Sequence, residues 1–156
     1  MERFYLYKRI ITKRNVLIVL TVAMLLFIWG QSLLPRELSA EESGWFTTHI
    51  INPLLGLFGL SVKGALVRKL AHVTEYAVLS FLLTLLFHGS VKRVLPLGFT
   101  VAFLDESIQI LSNRGAMIQD VWIDLLGVLI GYILTAVPML LQKNHISSSD
   151  RNGCSK

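Results

Sequence analysis

Half of the ten acidic residues of this chain lie inside or at the edge of long apolar runs: Glu75, Asp105, Glu106, Asp120 and Asp124. His72, Tyr76 and Gln109 stand among them, with Arg68, Lys69 and Arg114 close by in sequence. An imidazole beside carboxylates can take and return a proton, and basic side chains next to them can draw in an anion. The spacing lets these groups converge. Lys69, His72, Glu75 and Tyr76 recur at helical intervals and share one face. Asp105, Gln109 and Ser112 form a second stripe with Glu106 at its flank. Asp120, Asp124, Gly127 and Gly131 fall within an arc of about 60° at 100° per residue. His72, Glu75, Asp105 and Glu106 are therefore the candidate acid–base groups. Arg68, Lys69, Tyr76, Gln109, Arg114, Asp120 and Asp124 are the candidate ligand-binding groups.

Blander roles exist for the same residues. Arg68 and Lys69 would snorkel at a helix end, Asp120 would favour a helix N-terminus, and the whole group would serve as a salt-bridge network setting helix register. Only one histidine belongs to the group, since His49, His88 and His145 lie elsewhere. His72 and Glu75 at i, i+3, with carboxylates from two other helices, could ligate a cation. So oxygen-rich a set favours Mg²⁺ or Ca²⁺ over Zn²⁺, and the sequence alone assigns neither a metal nor a cofactor. No nucleophile elbow, phosphate-binding glycine loop or Cys-His pair is present. Cys154 is the single cysteine, so there is no intrachain disulfide.

The elements that must position these groups are membrane helices. The chain is 53% hydrophobic and only 16% charged, against about 25% charged in a soluble domain, so its solvent is largely lipid. Four apolar runs, at about 16–34, 69–87, 94–111 and 121–141, approach the ~20 residues needed to cross ~30 Å of hydrocarbon. The first follows a basic cluster and reads as an uncleaved anchor, because Arg36 and Glu37 stand where a signal peptide needs small neutral residues. Ionised acids at helix centres cost roughly 2.5–3.5 kcal/mol each on insertion scales. Five of them facing lipid would cost on the order of 10 kcal/mol, so they must turn inward toward partners. The expected fold is an all-α integral membrane four-helix bundle forming one domain over 1–141.

Between the first two runs, Glu41, Glu42 and Ser43 read as a helix start, followed by Trp45, Phe46, Ile50 and Ile51 on one face. Asn52-Pro53 should end that turn, and the segment should lie in the interface as an amphipathic element. Residues 142–156 show no apolar period and read as a disordered tail. Ten of the fifteen Lys and Arg residues fall on the side of the two termini and the 87–94 loop, which places both termini in the cytoplasm. That clustering beside apolar runs also assigns the net charge of +5 to membrane orientation and not to nucleic acid. Gly127 and Gly131 form a Gly-x-x-x-Gly pair, suited to close helix contact within the bundle or, as the lesser alternative, in a homo-oligomer.

Three motifs together resemble the VanZ-like family of bacterial membrane proteins. They are Arg68-Lys69-x-x-His72-x-x-Glu75-Tyr76, Asp105-Glu106-x-x-Gln109, and Arg114 followed by Asp120-x-x-x-Asp124-x-x-Gly127. Many members carry Asn where this chain has Asp124. The resemblance implies a multi-pass protein of the bacterial plasma membrane, and the family's namesake is linked to resistance to the glycopeptide teicoplanin. Taken with the residues, it points to an envelope protein with an outward-facing polar pocket. Its expected partners are membrane lipids and a lipid-linked cell-wall precursor or other anionic envelope molecule. A small transporter or proton relay, and an accessory protein whose polar network is structural, are the alternatives. Whether a reaction is catalysed stays open at this level.

Overall fold

A computed structural model describes residues 2–112 and 118–153, without the side chains of residues 2–12, 36, 37, 39, 118 and 143–153. The described chain is all helical. Its elements are α1 (Glu2–Leu33), α2 (Arg36–Phe46), a π-helical turn (Thr47–Ile51), α3 (Asn52–Gly56), α4 (Gly64–Leu86), α5 (Val91–Leu111) and α6 (Ile118–Gly153). Four stretches are long and apolar enough to cross a bilayer: Lys13–Leu33, Gly64–Leu86, Val91–Leu111 and Gln119–Gln142. Large apolar side chains such as Val19, Leu26, Phe103, Leu129 and Leu134 face outward. A surface so covered would be an aggregation liability in water and suits lipid.

The bundle core is Ile28, Tyr76, Leu79, Leu83, Val94, Val101, Ala102 and Val128, drawn from all four long helices. Glycines set the closest approaches. A Cβ on Gly127 would come within 2.5 Å of the Val73 carbonyl oxygen, and one on Gly131 would collide with the carbonyl of Ala77. The Gly-x-x-x-Gly face is thus laid against the backbone of α4, inside the bundle. Gly98 makes room on α5 for the Val128 side chain in the same way, where a Cβ would meet Cγ1 at 2.6 Å. The α4–α5 connection closes tightly through left-handed backbone at His88 and Gly89. The Gly89 N–H returns to the Thr84 carbonyl at 2.8 Å, and the Tyr132 hydroxyl of α6 donates to the Gly89 carbonyl at 3.1 Å.

Four local boundaries differ from those read from sequence. α2 begins at Arg36, directly after Pro35, and not at Glu41, Glu42 and Ser43. α4 begins at Gly64, not near Lys69, because Lys63 is the last extended residue before it. Asn52-Pro53 does not end the connecting helix. One extra residue is taken into the turn ahead of it, so that the Asn52 N–H reaches back to Thr47, and Pro53 then sits at the start of α3, where its missing N–H costs nothing. The Asn52 side chain still does local work, accepting from the Val62 N–H at 2.9 Å and donating to the Val62 carbonyl at 3.3 Å. Finally, the backbone helix of α6 runs past the apolar span to Gly153. An established helix extends by one hydrogen bond per added residue, a far cheaper step than nucleation.

Candidate functional site

The topology brings the Leu33 end of α1, the whole of α2 and α3, the Gly64 end of α4, the Leu111 end of α5 and the Ile118 end of α6 to one end of the bundle. Asp105 lies at the centre of that end and is fully buried. Both its oxygens are engaged. The Ser32 hydroxyl of α1 donates to Oδ1 at 2.5 Å, and Gln109, one turn along α5, donates through Nε2 to Oδ2 at 3.0 Å. Ser112 donates to the Ser32 carbonyl at 3.1 Å and ties the ends of α1 and α5 together.

From α6, Asp124 is 1% exposed and faces His72 of α4, with Oδ1 3.6 Å from the imidazole Nδ1. Asp105, Glu106, Asp120 and Glu75 all lie within electrostatic reach of Asp124. Tyr76, fully buried one turn beyond His72, is in the field of Asp105, Asp124, Glu75 and Glu106. Its hydroxyl has no hydrogen-bond partner among the described residues. Glu106 and Gln109 are buried as well. The convergence expected from the three stripes therefore holds for His72, Glu75, Tyr76, Asp105, Glu106, Gln109 and Asp124, while Asp120 sits half-buried at the rim.

Beside this cluster opens a cavity of about 300 Å³ lined by Gln31, Glu42, Ser43, Phe46, Val67, Arg68, Ala71, His72 and Glu75. His72 and Glu75 belong to both the cluster and the cavity wall. Arg68 points the same way. Lys69, expected on the face of His72, Glu75 and Tyr76, does not. It is exposed, because it flanks His72 on the side opposite Arg68, and the cavity wall from α2 closes only the Arg68 side. Arg114, expected above the cluster, lies outside the described residues.

Two contributions were not legible as such. Ser32 and Gln31 looked like mild interruptions of the first span, yet Ser32 anchors Asp105 and makes the cluster a meeting of four helices. Their signal was present, as two adjacent polar residues closing an apolar run. Glu42 and Ser43 looked only like a helix start and instead wall the cavity.

The arrangement can hold a polar group between an imidazole and carboxylates, out of bulk water. A ring nitrogen of His72 and carboxylate oxygens of Asp105 and Asp124 also lie within 4.8 Å of one another, whereas the sequence alone pairs His72 with Glu75 as the cation candidate. Asp105 is the residue on which the packing of the site depends. Asp105→Ala would strand the buried Ser32 hydroxyl and Gln109 amide, at about 1–3 kcal/mol for each unsatisfied group. The expected result is a loss of roughly 2–6 kcal/mol in unfolding free energy in detergent micelles. Unchanged stability would show that these contacts do not hold α1 to α5.

The sequence model of the VanZ/LLP1 family matches residues 11–141 and so takes in all four spans. The uncharacterized membrane protein YwnJ of Bacillus subtilis (strain 168) is 33% identical over 69 residues, which is 44% of this chain. The matched stretch spans 49% of that protein, about half its length. No solved structure matches. With four bilayer-length helices, a buried polar cluster built on the three sequence motifs, and a family match across nearly the whole membrane region, this chain is a multi-pass membrane protein that belongs to the VanZ/LLP1 family.

Proposed function

We propose that this protein works in the bacterial plasma membrane, with both termini cytoplasmic, by taking the polar head of a lipid-linked envelope molecule into the cavity beside His72. One observation carries the reading: the cavity is lined by apolar Phe46, Val67 and Ala71 as well as by Arg68, His72 and Glu75, and it adjoins the buried cluster. At about 300 Å³ it matches the lower range of small-ligand pockets. Such a lining suits a molecule with a charged head and an apolar tail. Arg68 supplies the attraction for an anionic group, and His72 with Glu75 supplies proton donors and acceptors next to it. The ten-to-five distribution of basic residues supports a pocket on the outer side. Peptidoglycan precursors carried on a lipid have this chemistry, and handling of such a precursor would account for a link to glycopeptide tolerance.

Site-specific photocrosslinking tests the reading. A photoreactive side chain at Val67 or Ala71, in membranes from growing cells, is expected to capture a polyprenyl-linked glycan. The capture should fall several-fold in the Arg68→Ala background. The same probe at Leu70, which is exposed on another side of α4, should capture bulk phospholipid. Indistinguishable products from the two positions would refute the proposal.

A further inference from the structure

We propose that His72, Asp105 and Asp124 form a site for one divalent transition-metal ion, best matched to Zn²⁺. This inference goes beyond the head-group reading and stands on the cluster itself, whatever molecule occupies the cavity. One imidazole nitrogen and two carboxylates, from α4, α5 and α6, already lie within 4.8 Å of one another. Two ligands of a tetrahedral zinc ion stand about 3.4 Å apart, the chord of a ~109° angle at a ~2.1 Å bond. The widest separation therefore needs to close by up to roughly 1.4 Å, within the reach of side-chain rotation.

A ligand oxygen and a buried hydroxyl beyond the three ligands both point to a cation. Asp124 is 1% exposed, and its Oδ1 accepts no hydrogen bond among the described residues. Tyr76, 0% exposed and one turn along α4 from His72, ends in a hydroxyl that also lacks a partner among them. The first atom has only the His72 ring at 3.6 Å, and the second has nothing among the described residues, a costly state for a buried polar group. A metal ion answers the first, and a water on that ion can answer the second. Ser32 and Gln109, which hold both oxygens of Asp105, have the form of the outer-shell contacts that orient a ligating carboxylate.

The donor set also selects the metal. The sequence alone favours Mg²⁺ or Ca²⁺ for so oxygen-rich a group. The three side chains that meet, however, include an imidazole nitrogen in a set of three, which favours zinc and its neighbours in the transition series. Three protein ligands leave a coordination position open, as in zinc sites that carry water or substrate. His72 lines the cavity, so the ion would stand beside the polar head of whatever occupies it.

The test uses the full, tag-free chain in micelles, stripped with a chelator and titrated with Zn²⁺. One equivalent is expected to bind, with no displacement by a hundredfold excess of Mg²⁺. Because the ligands must be deprotonated, affinity should fall as pH is lowered. His72→Gln and Asp124→Ala should each weaken binding at least tenfold, and His88→Gln should leave it unchanged. A readout on the unmutated protein covers the case in which a variant does not fold. Zn²⁺ should protect His72 from diethyl pyrocarbonate, read by mass spectrometry, while His49 and His88 stay reactive. Absence of stoichiometric binding, equal competition by Mg²⁺, or unchanged His72 reactivity would overturn the proposal. The head-group reading is judged separately, by the products captured at Val67 and Ala71.

Discussion

Gly131→Leu is expected to break the bundle. The position faces the Ala77 carbonyl so closely that even a Cβ would collide with the backbone of α4, and the neighbouring pair Gly127–Val73 is almost as tight. Overpacking a core usually costs about 1–3 kcal/mol, because flexible side chains move aside. Here the obstacle is helix backbone, so relief requires α4 and α6 to separate along their length. We expect a loss above ~3 kcal/mol, a large share of the roughly 5–15 kcal/mol that holds a typical domain together. The measurement is helicity during titration with a denaturing detergent, with size-exclusion chromatography as a check on aggregation. Gly30→Ala is the control. Gly30 is exposed on α1 with nothing within 4 Å of a new Cβ, so alanine should stabilise slightly, by up to about 1 kcal/mol. A Gly131→Leu protein that unfolds like wild type but changes oligomeric state would move the glycine pair from the α4 contact to a dimer interface.

Loss of function without loss of fold is the second large effect, and Glu106→Gln and His72→Gln should both show it. Each replacement keeps approximate size and hydrogen bonding and removes the titrating group. Glu106 is 6% exposed, and because apolar replacement of a whole buried ionic network is often neutral or stabilising, such a network is weak evidence for a role in stability. Both proteins should therefore insert and unfold like wild type. A cell that depends on this chain for tolerance of a cell-wall antibiotic should lose that tolerance with either variant. Where proton transfer is part of the work, the rate should fall by on the order of 10²–10⁴. A purely structural network predicts the opposite pairing, with expression, stability and phenotype lost together. The functional outcome is favoured because acids from α4, α5 and α6 meet at one depth beside a cavity, more than register alone requires.

Much of this protein could be read from its residues because the relevant signals are local. Apolar runs of bilayer length specify four spanning helices whatever their neighbours do, since unpaired backbone is not tolerated in hydrocarbon. The 3.6-residue period places His72 with Tyr76, Asp105 with Gln109, and Asp124 with Gly127 on shared faces. The insertion cost of carboxylates then dictates that those faces turn inward. The three motifs led to the same family that the match over residues 11–141 establishes.

What periodicity cannot supply is the rotation and depth of one helix relative to another. Arg68 and Lys69 are adjacent and chemically equivalent in sequence, yet one lines the cavity and the other is exposed, because only the position of α2 decides which side of α4 is walled. Ser32 lies 73 residues from Asp105, and no local pattern marks it as that carboxylate's donor. The glycine pair fits two partners equally well until α4 is laid against it. The π-helical turn that carries the chain past Pro53 likewise arises from an adjustment in the preceding turn. Span, face and burial of charge were thus determined by the sequence through local period and solvation energy. The partner of each face, the cavity and the His72–Asp105–Asp124 grouping were decided only by packing, because distances between helices are set jointly by all the side chains that fill the space between them.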